Sequence, residues 1–315
     1  MRAVVMERFG GPEVLELREV EDPVPGPGQV LVEVAYASIT FVETQVRAGN
    51  APPVMGRPEL PRIPGNGVGG RVRQVGAGVD PGLAGATVVT TTGGAGGYAE
   101  LALGRAEDAV VVPDGVALRD AVALLADGRT AVMLHRQAQV EPGEWVLVLA
   151  AGGGVGTLLV QLASGSGAKV IGAAGPGKGE QVTALGAVAC VDYTRPGWER
   201  EVAGLTGGAG VDLVFDGVGG RAGAEAMSVV RPGGRARVYG MAGGAWTQPG
   251  DGVEVIAAAP PTAADMRAFT EEALARAAAG TLRPTVGQTH PLADAAKAHQ
   301  AIEARATIGK TLLIP

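Results

Sequence analysis

The chain has 315 residues, 46% of them hydrophobic, and a formal net charge of −6. That length allows two domains with real cores, and an acidic chain without Lys/Arg clusters lacks the electrostatic footprint of a nucleic-acid-binding protein. The single cysteine, Cys190, excludes an internal disulfide and a Cys-rich zinc site. We expect Cys190 to be a small buried residue of a strand. The chain begins without a signal region and has no membrane-spanning window, so we expect a cytoplasmic protein with no membrane partner.

The first third of the sequence predicts β structure. "RAVVME", "VLELREV" and "QVLVEVAYASI" are rich in β-branched residues, and "PVPGPG" forms a rigid turn between them. "GRVRQVGAGV", "ATVVTT" and "YAELALG" continue as short strands separated by glycine. This spacing favours a barrel-like or sandwich module over a parallel sheet.

The pattern changes near residue 117, where "LRDAVALLADGRTAVMLHRQAQV" has the apolar spacing of a helix. Strand and helix patterns then alternate, as expected for a doubly wound parallel sheet of the Rossmann type. "VEVIAAA" predicts a further strand, "ADMRAFTEEALARAAAG" a helix, and the tail a helix, a turn and a last strand. The five strands that we predict in the alternating part are residues 145–150, 169–173, 188–192, 211–216 and 235–239.

A glycine-rich turn interrupts the segment "VLVLAAGGGVGTLLVQLA". Ala151, Gly153 and Gly156 form A-x-G-x-x-G, a variant of the dinucleotide fingerprint in which each small residue permits a close backbone approach. The following helix offers free N–H groups and a partial positive charge to phosphates. Because the chain has 52 glycines, the motif alone is weak. Its place between a strand and a helix is what predicts a pyrophosphate site.

The next strand bears on which cofactor binds. An NAD site places Asp or Glu at the end of that strand to hold the ribose hydroxyls. Residues 173–175 contain no acid, Gly175 is small and uncharged, and Lys178 follows. A 2′-phosphate suits this arrangement, so NADPH is the predicted cofactor. The alternative is that Lys178 is a solvated loop charge.

Several linked motifs resemble the zinc-independent quinone oxidoreductase branch of the medium-chain dehydrogenase/reductase superfamily. "MRAVVMERFGGPEVLEL", "IPGNGVGGRVRQVGAGV", "GGYAEL", "VEPGEWVLVLAAGGGVGTLLVQLA" and "AHQAIEARATIGKTLLIP" match in order along essentially the whole chain. The resemblance implies a GroES-like β-barrel domain from residues 1–117 and 285–315, and a Rossmann domain from residues 118–284. It implies an active site in the cleft and hydride transfer without a metal.

The resemblance also implies the residues that contact the cofactor. Arg305 lies near the cofactor in the family's motif, Thr130 lies beside the nicotinamide amide, and Tyr193 lines the adenosine end. The implied cofactor-binding set is Thr130, Ala151, Gly153, Gly154, Val155, Gly156, Gly175, Lys178, Tyr193, Gly240, Met241 and Arg305.

The substrate side departs from the family pattern. Thr40 replaces an asparagine, Gln45 a tyrosine, Arg129 a leucine and Gly67 an acidic residue, while Glu43 keeps an acidic position. Gln45 cannot act as a general acid, whereas Arg129 stays protonated and can hold a carboxylate, an enolate or a carbonyl oxygen. Arg129 can also be a helix charge paired with Asp127, and Glu43 can serve only to position backbone or Arg47. The three histidines, His135, His290 and His299, carry no catalytic pattern.

We therefore expect an NADPH-dependent, zinc-free oxidoreductase that passes hydride to a quinone or an α,β-unsaturated carbonyl. The candidate catalytic residues are Thr40, Glu43, Gln45 and Arg129, with no metal ligands. One alternative is a specialised secondary-metabolite enzyme, with or without net redox change. Another is an NADPH-binding protein with little turnover, like the zeta-crystallins of the lens. The family further implies a homodimer that pairs through the edge near "GVEVIAAA".

Overall fold

The computed structural model describes residues 1–52, 56–257 and 259–315. These residues form two compact units, the first made of Met1–Ala126, Ala263–Gly280 and Pro284–Pro315, the second of Asp127–Thr262 and Thr281–Arg283. In chain order the strands and helices are β1 (Arg2–Val5), β2 (Glu16–Glu19), β3 (Gln29–Ile39), α1 (Phe41–Ala48), β4 (Gly67–Val75), β5 (Thr87–Thr91), β6 (Leu101–Arg105), β7 (Val110–Val111), α2 (Leu118–Ala138), β8 (Trp145–Leu149), α3 (Gly154–Gly165), β9 (Lys169–Ala174), α4 (Gly179–Ala184), β10 (Ala189–Asp192), α5 (Trp198–Leu205), β11 (Val211–Asp216), α6 (Gly220–Met227), β12 (Val230–Val238), β13 (Glu254–Val255), α7 (Ala263–Ala278), β14 (Val286–Pro291), α8 (Ala295–Glu303) and β15 (Lys310–Ile314).

The first unit is built on a seven-stranded sheet in the order β14-β15-β3-β4-β5-β7, with β6 also paired to β3. Its neighbours are antiparallel apart from the parallel pair β14 and β15. The long strand β3 contributes Val34, Ala37 and Ile39 to an apolar cluster, and α8 packs against the same cluster. Antiparallel pairing of short strands is what the β-rich first third predicts.

The second unit holds a six-stranded parallel sheet in the order β10-β9-β8-β11-β12-β13. Strand β8 lies at the point where the order reverses, because β9 continues to one side of it and β11 to the other. Such a switch point is where open α/β sheets bind ligands, at the carboxyl ends of the strands. The apolar runs of β8, β9 and β11 are buried on both faces, as parallel strands require.

The predicted parallel sheet is confirmed, and each of its five predicted strands overlaps an observed one. Three local predictions differ from the structure. The first third contains a helix, α1, that the β pattern did not predict, and the tail contains an additional strand, β14. The strand predicted over "VEVIAAA" covers only Glu254–Val255, and Ala258 lies outside the described residues.

Two further differences concern burial and boundaries. Cys190 lies on β10 as predicted but is only partly buried, so it is not the enclosed residue that we expected. Residues 118–126 and α7 belong to the first compact unit, whereas the domain boundaries expected from the sequence assigned them to the Rossmann domain. Among the described residues, no helix is long and apolar enough to cross a membrane.

Candidate cofactor and active-site residues

The glycine turn joins β8 to α3 in the second unit. Gly156 must be glycine, because a Cβ there would lie 2.1 Å from the carbonyl oxygen of Ala150. Gly153 is the N-cap of α3 and makes no side-chain capping hydrogen bond. Ala151 is fully buried, and its N–H donates to Ala173 on the neighbouring strand at 3.0 Å. A tight turn whose N-cap residue has no side chain fits a dinucleotide pyrophosphate.

Lys178 lies across this turn. A Cβ on Gly152 would be 2.7 Å from Lys178 Cδ, so the lysine stem packs directly on the turn backbone. Lys178 is half-buried and precedes α4. This packing favours the cofactor role of Lys178 over that of a solvated loop charge, because it holds the stem beside the predicted phosphate site. Gly152 was absent from the predicted set and is the residue that allows this approach.

The end of β9 carries no carboxylate. Ala173 and Ala174 are buried, and Gly175 has no heavy atom within 4 Å of its Cβ position. Tyr193 directly follows β10, and its N–H donates to the Ala174 carbonyl at 3.3 Å. The structure therefore brings Gly175 and Tyr193 to the same edge of the sheet, where the sequence predicts the adenosine end of the cofactor.

Gly240 and Met241 follow β12, in a loop held by groups that the sequence did not single out. A Cβ on Gly240 would lie 2.6 Å from the Gly217 carbonyl oxygen, so two loops meet there backbone to backbone. Asp216 is fully buried at the end of β11 and accepts hydrogen bonds from the N–H groups of Val218 and Gly219 at 2.8 and 2.9 Å. The hydroxyl of Thr247 donates to its other oxygen. The sequence "DGVGG" at the end of β11 was a signal that could have identified Asp216. No local signal identifies Thr247, because it is distant from Asp216 in the sequence.

Arg129 and Thr130 lie on α2 and are both half-buried. Asp127, on the same helix, is 9% exposed and packs on the glycine turn, because a Cβ on Gly154 would be 1.9 Å from Asp127 Oδ2. The sequence suggested Asp127 only as an ion-pair partner of Arg129. Its approach to Gly154 follows from tertiary packing.

Thr40 and Glu43 form one hydrogen-bonded pair in the first unit. Thr40 is the N-cap of α1 and Glu43 completes a capping box. Glu43 Oε2 accepts the Thr40 N–H at 2.6 Å and the Thr40 hydroxyl at 3.0 Å, and Oε1 accepts the Asn66 N–H at 2.8 Å. Burial raises the pKa of Glu43, while these hydrogen bonds and Lys310 act to lower it.

Two buried rings extend this pair inward. Tyr98 Oη lies 3.4 Å from Glu43 Oε2 and 3.0 Å from His299 Nε2. Burial and the neighbouring Glu43 raise the pKa of Tyr98. Burial, with the nearby Arg47, lowers the pKa of His299 to about 3, so this ring is neutral at physiological pH. Neither residue was predicted from sequence to take part in the site.

Three other residues of the first unit were singled out from the sequence. The Gln45 side chain donates to Thr44 Oγ1 at 3.2 Å, next to it on α1. Arg305 is exposed beyond the end of α8, with a positive φ of 55°. A Cβ on Gly67 would lie 2.6 Å from Ser38 Oγ, so the family's acidic side chain would not fit there without a local shift. Among the described residues, no cluster of three or more His, Cys, Asp or Glu side chains could hold a metal.

Comparisons with known proteins agree with this architecture. The alcohol dehydrogenase GroES-like domain family matches residues 26–114, and the zinc-binding dehydrogenase family matches residues 185–313. The quinone oxidoreductase of Pseudomonas aeruginosa is 32% identical over 320 residues, covering 98% of this chain and 97% of that protein. The chain belongs to the quinone oxidoreductase family of the medium-chain dehydrogenase/reductase superfamily.

Two other members of the family bear on the site. The 2-haloacrylate reductase of a Burkholderia species is 33% identical, covering 99% of this chain and 98% of that protein. The Escherichia coli quinone oxidoreductase, solved as a complex with NADPH, is 30% identical with a TM-score of 0.91, each chain being covered in full. The predictions of the family, the fold class and an oxidoreductase are confirmed.

Proposed function

We propose that this protein is an NADPH-dependent oxidoreductase that reduces a quinone or an α,β-unsaturated carbonyl compound. The observation that carries the proposal is the glycine turn at the switch point of the parallel sheet, with Lys178 packed across it. The NADPH complex of the Escherichia coli relative supports this choice of cofactor. The acceptor class is supported by the names of the relatives, which act on quinones and on a conjugated 2-haloacrylate.

The second unit would hold the cofactor through backbone groups. The first turn of α3 would face the pyrophosphate, and Gly153 would let it approach closely. Lys178 would neutralise the 2′-phosphate, while Gly175 and Tyr193 would leave room for the adenosine end. Thr130, Gly240 and Met241 would border the nicotinamide. Bound NADPH supplies a hydride from C4 of its nicotinamide ring. We propose that this transfer uses no metal ion.

The chain must then supply a proton to balance the reaction. Hydride addition to the β-carbon of an enone leaves an enolate, which takes one proton at its α-carbon. The buried Glu43 carboxyl is the proposed source of the proton. In its protonated form Glu43 would donate to the Thr40 hydroxyl oxygen, the reverse of the hydrogen bond that the carboxylate accepts, and Thr40 would pass its own proton to the enolate. Solvent then returns the proton to Glu43. Arg129 would hold the carbonyl or carboxylate oxygen of the acceptor as charge develops on it.

An acceptor panel tests the function. Purified protein is mixed with NADPH and, in separate assays, with benzoquinone, methyl vinyl ketone or 2-chloroacrylate, while nicotinamide absorbance and the reduced product are measured. We expect NADPH loss to match product one to one with at least one acceptor. Bound NADPH with no oxidation by any acceptor would contradict the proposal and favour a binding protein with little turnover.

The second unit also offers an edge for self-association. β13 is the last strand of the parallel sheet, and Val255 on it is 51% exposed. Trp246, which precedes this strand, is 54% exposed. An exposed apolar edge pairs readily with a second copy. We therefore propose a homodimer that joins the two sheets through β13.

A further inference from the structure

Asp127 places a carboxylate against the glycine turn. Its side chain projects from α2 and is 9% exposed. A Cβ on Gly154 would lie 1.9 Å from Asp127 Oδ2, and Gly154 is the first residue of α3. The carboxylate therefore lies at the helix end where partial positive charge is concentrated.

The same helix end is where the pyrophosphate would bind. Gly153, the N-cap, provides no side-chain acceptor of its own, so Asp127 contributes negative charge that complements the helix end when no phosphate is there. When a dinucleotide binds, its phosphates bring further negative charge to the same place. Like charges at short range repel, and they repel more strongly in a partly buried site than in water.

Residues of opposite charge therefore contact the turn. The Lys178 stem packs on Gly152, and the Asp127 carboxylate packs on Gly154, two residues along the turn. Lys178 favours an anionic ligand, whereas Asp127 opposes one. The net affinity of the turn for a dinucleotide depends on both residues. The family resemblance implies the role of Lys178 but not that of Asp127.

We propose that Asp127 weakens dinucleotide binding in this protein by repelling the cofactor pyrophosphate. The proposal rests on the NADPH site described under the proposed function and adds a residue that sets its affinity. Because affinity within one site changes mainly through dissociation, Asp127 also speeds release of the cofactor. It acts on binding and not on the transfer of hydride.

The test is Asp127→Asn, which keeps the shape and removes the charge. We expect the Kd for NADPH, from a nicotinamide fluorescence titration at low salt, to fall about three- to ten-fold. The difference should shrink as salt screens the repulsion. The apo variant should melt at a slightly lower temperature, because the helix end loses its complementary charge. Asp120→Asn, on the same helix and paired with Arg119, is the control and should leave the Kd unchanged.

Three results would overturn the proposal. An unchanged Kd in folded Asp127→Asn would mean that the carboxylate does not act on the cofactor. A raised Kd would mean that Asp127 is a cofactor ligand, and an equal fall in Asp120→Asn would mean that net charge alone is responsible. If the wild-type protein binds no NADPH at all, the proposed function fails, and this outcome is seen before any variant is compared.

Discussion

Glu43 is a carboxyl group that is 9% exposed, and both of its oxygens accept hydrogen bonds from the protein. The capping box explains its contact with Thr40 but not the contacts with Asn66 and Tyr98, which come from other parts of the first unit. Burial raises the pKa of Glu43, so it keeps a proton to higher pH than an exposed glutamate does. That property suits a proton donor.

The proposed role of the Thr40 hydroxyl as proton carrier can be tested by substitution. Thr40→Val removes the proposed proton carrier, so we expect kcat for enone reduction to fall about 100-fold and the Kd for NADPH to stay the same. Thr40→Ser keeps the hydroxyl and should retain most of the activity. The measurement is steady-state kinetics in water and in deuterium oxide, with a solvent isotope effect in wild type and Thr40→Ser. Full activity in Thr40→Val would contradict the role of the hydroxyl.

His299 gives a prediction about pH and stability. Its pKa is about 3 in the folded protein, below the ordinary histidine value of 6.5. The unfolded state therefore binds more protons between these values, and stability falls as the pH drops below about 6.5. From pH 7.5 to pH 5 this residue should cost about 2 kcal/mol of unfolding free energy.

Urea unfolding at the two pH values measures this loss. His299→Gln removes the titrating ring, so its unfolding free energy should fall less between pH 7.5 and pH 5 than that of wild type. His290→Gln, on β14 and partly exposed, serves as the control and should behave as wild type. If wild type and His299→Gln lose the same unfolding free energy between pH 7.5 and pH 5, titration of His299 does not cause the loss.

The strand–turn–helix element of β8 and α3 depends on close backbone packing. Gly156→Ala places a Cβ where the Ala150 carbonyl oxygen lies 2.1 Å away, so the helix must shift from the strand. We expect a loss of about 1–3 kcal/mol in unfolding free energy and weaker NADPH binding. Gly165→Ala, at the other end of α3, meets no atom within 4 Å and should be neutral or stabilising. Chemical denaturation distinguishes them, and equal stability of the two variants would contradict this account of the turn.

The elements differ in how far the sequence predicts them. Strands β8, β9 and β11 are apolar runs separated by segments of helical spacing, so their type and their places along the chain follow from the pattern. The helix α1 was missed although Thr40, Glu43 and Gly49 form a start and stop signal, because its eight residues sit within β-rich sequence. The Asp216–Thr247 bond and the approach of Asp127 to Gly154 join distant residues, and local pattern carries no information about such pairs.

At the scale of the whole molecule, the family match covers both units, whereas the sequence motifs predict departures from the family on the substrate side. The fold and the strand–turn–helix element that contains the glycine turn could therefore be predicted from the sequence. The acceptor could not, because the predicted departures at Thr40, Gln45 and Arg129 leave no family pattern from which to infer it. Their contacts, and not their types, show that Thr40 joins Glu43 while Gln45 contacts its own helix.

The proposed homodimer gives a prediction about the whole molecule. If β13 forms the interface, light scattering should give twice the 31.5 kDa mass of one chain. Val255→Glu should shift the protein toward the monomer, because it places a charge on the exposed apolar edge. Val188→Glu, also exposed at 58% but beside the opposite edge strand, is the control. A wild-type monomer at micromolar concentration would contradict the proposed dimer.

The central claim is that the glycine turn and Lys178 form an NADPH site. Titration of the wild-type protein with NADPH and with NADH, followed by nicotinamide fluorescence, tests it most directly. We expect NADPH to bind at least ten-fold more tightly, because a lysine near a 2′-phosphate adds a charge-assisted contact. That preference should be lost in Lys178→Ala. Equal affinity for the two cofactors in the wild type, or no binding of either, would contradict the claim.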